Sequence, residues 1–314
     1  KIWNKDDIQD DLLRMIFACC HPGISEENQI TLILKTLSAL STGEIAKAFL
    51  APDYTISKRI YRTREFFRNN KIKPEFPDIS LLPDRTEAVL KTIYLIFNEG
   101  YKSSHSDELI RKDLLAQAMY LCKLLCNNPQ TRLPEVNAAM ALMCFHASRI
   151  NSRISPEGEI ILLAEQDRTK WMQSLIDEGN EYMNKAATGN RMSTYHVEAA
   201  IAYEHCIATT FEKTNWQQIL AYYDMLLVLH PTPVIALNRM TVVYKIKGAE
   251  KTLTELNSSA FLPEWQNHYL YYSLLGEIFT ALNKEKAIEN FTAALSLTQS
   301  DAEKKLLKKK IGRL

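Results

Sequence analysis

Residues 85–314 form a long succession of helix-period hydrophobic patterns, which limits the chain to few fold classes. Apolar residues recur there at three- and four-residue intervals, which places them on one face of an α-helix. Glycine is scarce, at 9 of 314 residues, and the 11 prolines stand mostly between the periodic segments. No strand-like alternation of useful length is present. The sequence therefore predicts an all-α fold.

Composition narrows the class of protein further. Hydrophobic residues make up 46% of the chain and charged residues 24%, which is an ordinary globular balance. No apolar run approaches the roughly 20 residues of a membrane-spanning helix, and no signal peptide is visible. The six cysteines lack a disulfide-like spacing. We therefore predict a cytoplasmic protein with free thiols and no membrane partner. Because the first residue is Lys1 rather than Met, we interpret the chain as a fragment or a processed product.

The stretch PEFPDISLLPD divides the chain. Its three prolines remove backbone donors and restrict the residues before them, so we predict a linker there. The predicted segments are a compact helical module at 1–73, the linker at 74–84, a helical domain of unphased helix pairs at 85–215, and helical repeats with a capping helix at 216–314.

Residues 216–314 fit a helical repeat. Ile219, Ala249 and Ala287 fall 30 and 38 residues apart, a mean of 34, which is the period of tetratricopeptide repeats. A single helix pair cannot bury its apolar face alone, so such pairs stack on one another. The final stretch, DAEKKLLKKKIGRL, is predicted to cap the stack. Further positions that match the repeat are Tyr223, Leu226, Pro231, Leu253, Leu256, Leu275, Gly276, Phe279, Phe291 and Ala294.

The net charge of +1 hides an asymmetry along the chain. Residues 35–73 carry nine basic and three acidic side chains, whereas residues 1–34 carry three basic and six acidic ones. The remainder is slightly acidic. A basic module beside a faintly acidic body is typical of proteins that contact nucleic acid.

The basic stretch reads LSTGEIAKAFLAPDYTISKRIYRTREFF, and it predicts two helices. The first covers 43–49 and is capped by Thr42, and the second covers about 53–69 and begins beside Pro52. The second helix presents an apolar face, so the pair has the pattern of a helix-turn-helix, whose second helix enters the major groove of DNA. The alternative is a helical hairpin with a solvated basic face. The apolar residues of the second helix are Ile56, Ile60, Thr63 and Phe67.

Residues off that apolar face are the candidate DNA contacts. Side chains near the start of a recognition helix reach base edges. Arginines further along are better placed to bind phosphates, which give affinity without sequence information. The predicted base-reading residues are Tyr54, Thr55, Ser57 and Lys58. The predicted phosphate-binding residues are Arg59, Arg62 and Arg68.

Two acidic stretches resemble catalytic sites at first sight. A carboxylate pair beside an arginine can do acid–base work when it is buried in a cleft. Helix caps and local pairs on one helix, such as Glu165 with Arg168, explain these residues more simply. We therefore predict no enzyme activity and no cofactor. The candidates are Glu99, His105, Asp107 and Glu108 in the first stretch, and Glu157, Glu159, Glu165, Asp167 and Arg168 in the second.

The cysteines do not predict a metal site. On a helix Cys19, Cys20 and His21 project about 100° apart, so they cannot readily bind one ion. Cys122 and Cys126 share a helix face but have no nearby histidine or aspartate in the sequence. We predict buried thiols at these positions.

The stretch DDLLRMIFACCHPGISEENQITLILKTLSALSTGEIAKAFLAPDYTISKRIYRTREFFRNN resembles the fourth conserved region of extracytoplasmic-function sigma factors, which reads the −35 promoter element. The phrases MIFACCHP, GEIAKAFL, YLIFNEGY, LLAEQDRTKW and PVIALNR are similar to one subgroup, in which a tetratricopeptide-like extension follows. The resemblance covers essentially the whole chain, and it implies promoter DNA and core RNA polymerase as partners, with a regulatory protein or ligand on the extension.

Members of that family begin with another helical region, which binds core polymerase and opens the −10 element. Nothing in this chain matches that region, so the resemblance implies that this chain alone does not melt a promoter. Two alternatives remain at the level of sequence. One is a non-catalytic helical-repeat interaction scaffold without DNA binding, and the other is an enzyme that uses Glu99, or Glu165 with Asp167.

Overall fold

The computed structural model describes residues 5–38, 40–48, 51–102 and 109–314. The all-α prediction is confirmed, because the only extended pairing in these ranges is one antiparallel bridge, Ile154 to Ile160. The α-helices, in chain order, are α1 (Lys5–Cys19), α2 (Glu26–Thr36), α3 (Thr42–Ala48), α4 (Asp53–Asn69), α5 (Leu82–Tyr101), α6 (Lys112–Asn127), α7 (Pro134–Ser148), α8 (Gln173–Ala186), α9 (Thr194–Ile207), α10 (Trp216–Leu229), α11 (Pro233–Asn257), α12 (Leu262–Trp265), α13 (Tyr269–Thr280), α14 (Lys284–Leu297) and α15 (Asp301–Gly312).

These helices belong to two compact units. The first comprises Lys1–Ala147 with Asp177–Asn190, and the second comprises Ser148–Ile176 with Arg191–Leu314. This division differs from the predicted boundaries at residues 73, 84 and 215. Neither prolines nor charge reveal it, because the division follows from which helices pack together.

In the first unit, the N-terminal helices pack directly on α5. Arg85 Nη2 donates a hydrogen bond of 2.7 Å to the Phe17 carbonyl, and Thr92 Oγ1 donates one of 3.0 Å to Gln29 Oε1. The predicted linker at 74–84 ends in a 3₁₀ turn, Ile79–Leu81, and the first turn of α5. The module at 1–73 therefore shares a core with the helices that follow.

Helix α7 belongs to the first unit as far as Ala147 and is buried along most of its length. Its sequence AAMALMCF has no polar face, which is typical of a helix that is buried on all sides. Residues 138–145 are accordingly all buried. The neighbouring α8 comes very close at Gly179, where an added Cβ would lie 2.6 Å from the Phe145 ring. Glycine at this position allows that approach.

In the second unit, the chain of helix contacts runs from α9 through α10 and α11 to α13, α14 and α15, with the short α12 packed on α11. The predicted repeat positions Ile219, Leu226, Leu256 and Phe291 are buried, and so are Ala287 and Ala294, whereas Pro231 is exposed. Gly248 interrupts α11 with φ 76° and ψ −175°, a backbone conformation that is essentially restricted to glycine. Ala249, one of the predicted repeat positions, directly follows this interruption.

The segment between α7 and α8 corrects one expectation for 85–215. It is not α-helical but consists of 3₁₀ turns at Ile150–Ser152, Leu163–Glu165 and Arg168–Lys170. The predicted pairing of Glu165 with Arg168 on one helix is therefore wrong, because the two residues lie in separate turns.

Candidate nucleic-acid interface

Helix α3 is fixed at its start by a reciprocal cap. Ser41 Oγ accepts a hydrogen bond of 3.2 Å from the Glu44 N–H, and Glu44 Oε2 accepts one of 2.7 Å from the Ser41 N–H. These bonds lower the pKa of the Glu44 carboxyl. The pattern is a capping box, so the predicted cap at Thr42 is displaced by one residue. Residues 49 and 50, the end of the predicted first helix and the turn after it, lie outside the described residues.

Helix α4 begins and ends where the sequence predicts. Pro52 lies just before it with φ −63° and ψ 144°, and its carbonyl accepts the Thr55 N–H at 2.9 Å. Proline suits this position because the first helical turn has no use for its missing N–H. The Asp53 carboxylate stands at the positive end of the helix dipole.

The inner face of α4 anchors it to its neighbours. Ile56, Ile60 and Thr63 are buried, and Phe67 is half-buried. The helix contacts α2 and α3 on this side. The Thr63 hydroxyl is satisfied by the Arg59 carbonyl at 2.8 Å, so this polar residue on the inner face carries no unpaired donor.

The outer face of α4 lies on the opposite side. At about 100° per residue, Tyr54, Lys58 and Tyr61 form one line along the helix. Tyr54 is 71% exposed and Tyr61 is 61% exposed. Ser57, Arg62, Arg64 and Arg68 flank this line and are exposed as well. A basic helix face that is merely solvated does not need large aromatic side chains. The two exposed tyrosine rings among the cations therefore favour a binding surface over a solvated hairpin.

The side chains of the predicted DNA contacts differ in solvent exposure and in ion pairing. Arg59 is the most constrained, because its side chain is only 28% exposed and its Nη2 lies 2.7 Å from the Glu27 carboxylate. Thr55 is half-buried. Arg68 lies 3.4 Å from Glu65. In contrast, Lys58 and Arg62 form no ion pair with any residue that the structure describes.

Two residues of the outer face were absent from the predicted set. Tyr61 follows Tyr54 by seven residues, two helical turns, and this spacing was the available signal. Its hydroxyl donates to Glu65 at 2.9 Å, which raises the pKa of the phenol. Arg64 is exposed beside the same line and carries a further positive charge.

The described candidates of the two acidic stretches have different surroundings. Glu99 lines an open groove of about 460 Å³ with Ile30, Leu95 and Tyr101. His105, Asp107 and Glu108 lie outside the described residues. Glu157 is exposed, and its pKa is lowered by the Ser155 hydroxyl.

The remaining candidates of the second acidic stretch contact different partners. Asp167 accepts the Thr169 N–H and hydroxyl at 3.0 and 2.6 Å, which lowers the pKa of its carboxyl. Glu165 lies 3.7 Å from Arg313, and Glu159 lies 2.8 Å from Lys309. Arg168 binds backbone carbonyls.

The thiols are buried, as predicted. Burial raises the pKa of Cys19 to about 11 and that of Cys20 to about 12. Cys122 and Cys126 both point toward the Val136 carbonyl, at 3.7 and 3.9 Å. Within the described part of the chain, no group of three or more histidine, cysteine or acidic residues is placed to hold a metal ion.

Comparison with known proteins places the chain in a family. It is 33% identical over 308 residues to an uncharacterized protein of Rhizobium meliloti (strain 1021), and the alignment covers 98% of this chain and 72% of that protein. The chain belongs to the same family as that protein. Residues 85–187, from α5 to just beyond α8, also match a family of unknown function, DUF6596. No solved structure matches the chain.

The matched stretch does not include α3 and α4, so the candidate interface precedes the part that defines DUF6596. In the ranges that the structure describes, no helix combines the length and apolar character needed to cross a bilayer.

Proposed function

We propose that the chain binds duplex DNA through α4 and acts in the cytoplasm as the −35-reading part of a sigma factor. In this proposal α3 and α4 form a helix-turn-helix, and α4 enters the major groove. The action is recognition of DNA, together with a core polymerase bound by the parent protein, and not covalent chemistry. The observation that carries the proposal is the outer face of α4. Exposed tyrosines, and cations that form no ion pair with any described residue, stand there opposite a buried aliphatic face.

The free cations suit contact with phosphates. Lys58, Arg62 and Arg64 are exposed and form no ion pair with described residues. Phosphate contacts from such side chains supply affinity without sequence information. Tyr54 and Ser57, near the start of α4, are placed to contact base edges. Arg59 serves instead to fix α4 on α2 through Glu27.

The C-terminal helices support the second element of the proposal, a tetratricopeptide-like extension. The successive contacts from α9 to α15, and the burial of small residues at Ala287 and Ala294 beside Phe291, suit stacked helix pairs. We propose that this extension is regulatory and binds a protein or ligand. The direct hydrogen bonds from α5 to the N-terminal helices favour a module that is held in place over one on a flexible tether.

Charge reversal on the free face tests the DNA proposal. The variant Lys58→Glu/Arg62→Glu removes two unpaired cations without disturbing the Arg59–Glu27 pair. Fluorescence anisotropy with a labelled duplex from upstream of the protein's own gene measures affinity as a function of salt. We expect at least a tenfold loss of affinity, because each lost phosphate contact lowers the slope of log K against log salt by about 1.

The matched control is Arg132→Glu, which reverses an exposed arginine away from α4 and should leave binding unchanged. Circular dichroism establishes that both variants remain folded. Equal DNA binding by wild type and the double variant would contradict the proposal. Footprinting of the full-length parent with core polymerase then locates the −35 contact.

A non-catalytic interaction scaffold is the second candidate. The observation that favours it is an apolar patch on the second unit, where Val228 is 84% exposed and Met225, Leu229 and Val234 are also exposed. Exposed apolar clusters of this kind are typical of surfaces that bind other proteins. This candidate predicts that the wild-type chain shows no salt-dependent DNA binding at all.

A further inference from the structure

A cluster of cationic and aromatic side chains in the second unit has no role in the proposed DNA contact. Its members are Arg149, Arg168, Trp171 and His205, which we call the arginine–tryptophan cluster. The guanidinium carbons of Arg168 and Arg149 lie 4.5 and 5.4 Å from the centre of the Trp171 ring. Both cations therefore contact one indole at cation–π distance.

Part of Arg168 is already used to hold the cluster together. Its Nη1 donates to the carbonyls of His205 and Ala208, at 2.6 and 2.7 Å. These carbonyls end helix α9, where a cation is favoured by the helix dipole. Arg168 is thereby fixed in position through Nη1, and its Nη2 takes no part in these two hydrogen bonds.

Each member of the cluster contributes one buried nitrogen atom that has no hydrogen-bond partner among the residues that the structure describes. Buried donors are almost always paired, and every exception needs an explanation. Arg149 and Arg168 contact the Trp171 ring, and Arg168 also binds the His205 carbonyl, so the four exceptions occur in side chains that are linked to one another. An acceptor shared by these side chains accounts for all four. The atoms are Arg149 Nε, Arg168 Nη2, Trp171 Nε1 and His205 Nδ1, the last a donor in one of its tautomers.

The charge of the cluster is also unbalanced. Among the described residues, no carboxylate forms an ion pair with Arg149 or Arg168. Glu212, whose pKa Arg168 helps to lower, is exposed, and its own backbone N–H has a larger effect on that pKa. Burial, followed by these two cations, lowers the pKa of His205 to about 4. The imidazole is therefore neutral near pH 7, and the cluster carries two positive charges.

We propose that the arginine–tryptophan cluster is a binding site for a phosphate group, either of free phosphate or of a small phosphate ester. A dianion balances the two guanidinium charges, and its oxygens can accept from the guanidinium edges and the indole and imidazole N–H groups. A carboxylate would leave one positive charge unbalanced. Arg149 is half-buried and donates no side-chain hydrogen bond to described residues, so its guanidinium is available to the ligand.

Isothermal titration of the complete chain with inorganic phosphate tests the site, with sodium chloride at equal ionic strength as the reference. We expect saturable binding of one phosphate per chain that chloride does not reproduce. Arg149→Met should weaken the affinity at least tenfold. The matched control Arg313→Met alters an exposed arginine of the same unit and should bind as the wild type does.

Glycerol phosphate and a nucleoside monophosphate distinguish the two sources of the ligand. Tighter binding of an ester than of free phosphate assigns the site to phosphorylated metabolites, and the reverse order assigns it to free phosphate. If Arg149→Met fails to fold by circular dichroism, Arg149→Lys, which keeps the charge but loses Nε, replaces it. Absence of saturable phosphate binding by the wild type, or equal binding by a folded Arg149 variant, would overturn the proposal.

Discussion

At the scale of single residues, the surroundings of His205 decide its protonation. The ring lies in a largely buried site near two arginines and packs against Trp216, with ring centres 5.5 Å apart. Burial is the larger cause of its lowered pKa, and the positive charges of Arg149 and Arg168 add to it. Because the imidazole resists protonation in the folded state, the free energy of unfolding depends on pH.

We expect the free energy of unfolding to fall as the pH is lowered. Because the folded pKa of His205 is about 4 and the ordinary value is 6.5, the unfolded chain binds more protons between these values. The stabilising contribution of His205 is thus present above pH 6.5 and is lost as the pH falls toward 4. Between pH 7 and pH 5 the loss is about 2 kcal/mol.

Urea denaturation at several pH values measures this effect, in a buffer that contains no phosphate. The variant His205→Gln lacks the titrating group, so its stability should decline less over the same interval. Identical slopes for the wild type and the variant between pH 7 and pH 5 would show that His205 is not the group responsible.

Among the secondary-structure elements, short-range sequence patterns predict the limits of helices more accurately than the residues that cap them. The period of Ile56, Ile60 and Thr63 predicts both the limits of α4 and its buried face, because burial repeats with the helical turn. The sequence pattern predicts the N-terminal cap of α3 at Thr42, although Ser41 and Glu44 have the three-residue spacing of a capping box. Ser41 and Thr42 both carry a hydroxyl that could cap the helix, and the structure uses Ser41.

The two possible caps of α3 make different predictions. Ser41→Ala removes the acceptor of the Glu44 N–H and should destabilise the protein by about 1 kcal/mol. Thr42→Ala removes a hydroxyl that caps nothing in the described structure and should change stability by much less. Thermal denaturation of both variants compares them directly, and a larger loss for Thr42→Ala would contradict the observed cap.

At the scale of the whole molecule, the first unit depends on helices distant in sequence. Helix α2 has six consecutive buried residues, from Gln29 to Leu34, so it needs neighbours on more than one side. It contacts α1, α3 and α4 within the N-terminal module and α5 beyond it. A proline-rich stretch therefore does not make the N-terminal module independent.

This packing predicts how fragments behave. A fragment of residues 1–73 lacks α5 and exposes the side of α2 that contacts it, so we expect weak helicity and no cooperative thermal transition. A fragment of residues 1–190 contains every segment of the first unit and should unfold cooperatively. Far-ultraviolet circular dichroism during heating separates the two outcomes. Cooperative unfolding of the short fragment would show that the module is self-sufficient.

The helical class of this protein and the two faces of α4 follow from the sequence, because hydrophobic period is a local property of the chain. The pairing of Arg59 with Glu27, the packing of the N-terminal helices on α5, and the contacts that link Arg149, Arg168, Trp171 and His205 depend on how the helices pack. These contacts join residues that are distant in the sequence. Arg168 and His205 are 37 residues apart, and no periodic pattern specifies which distant side chains meet once the helices have packed.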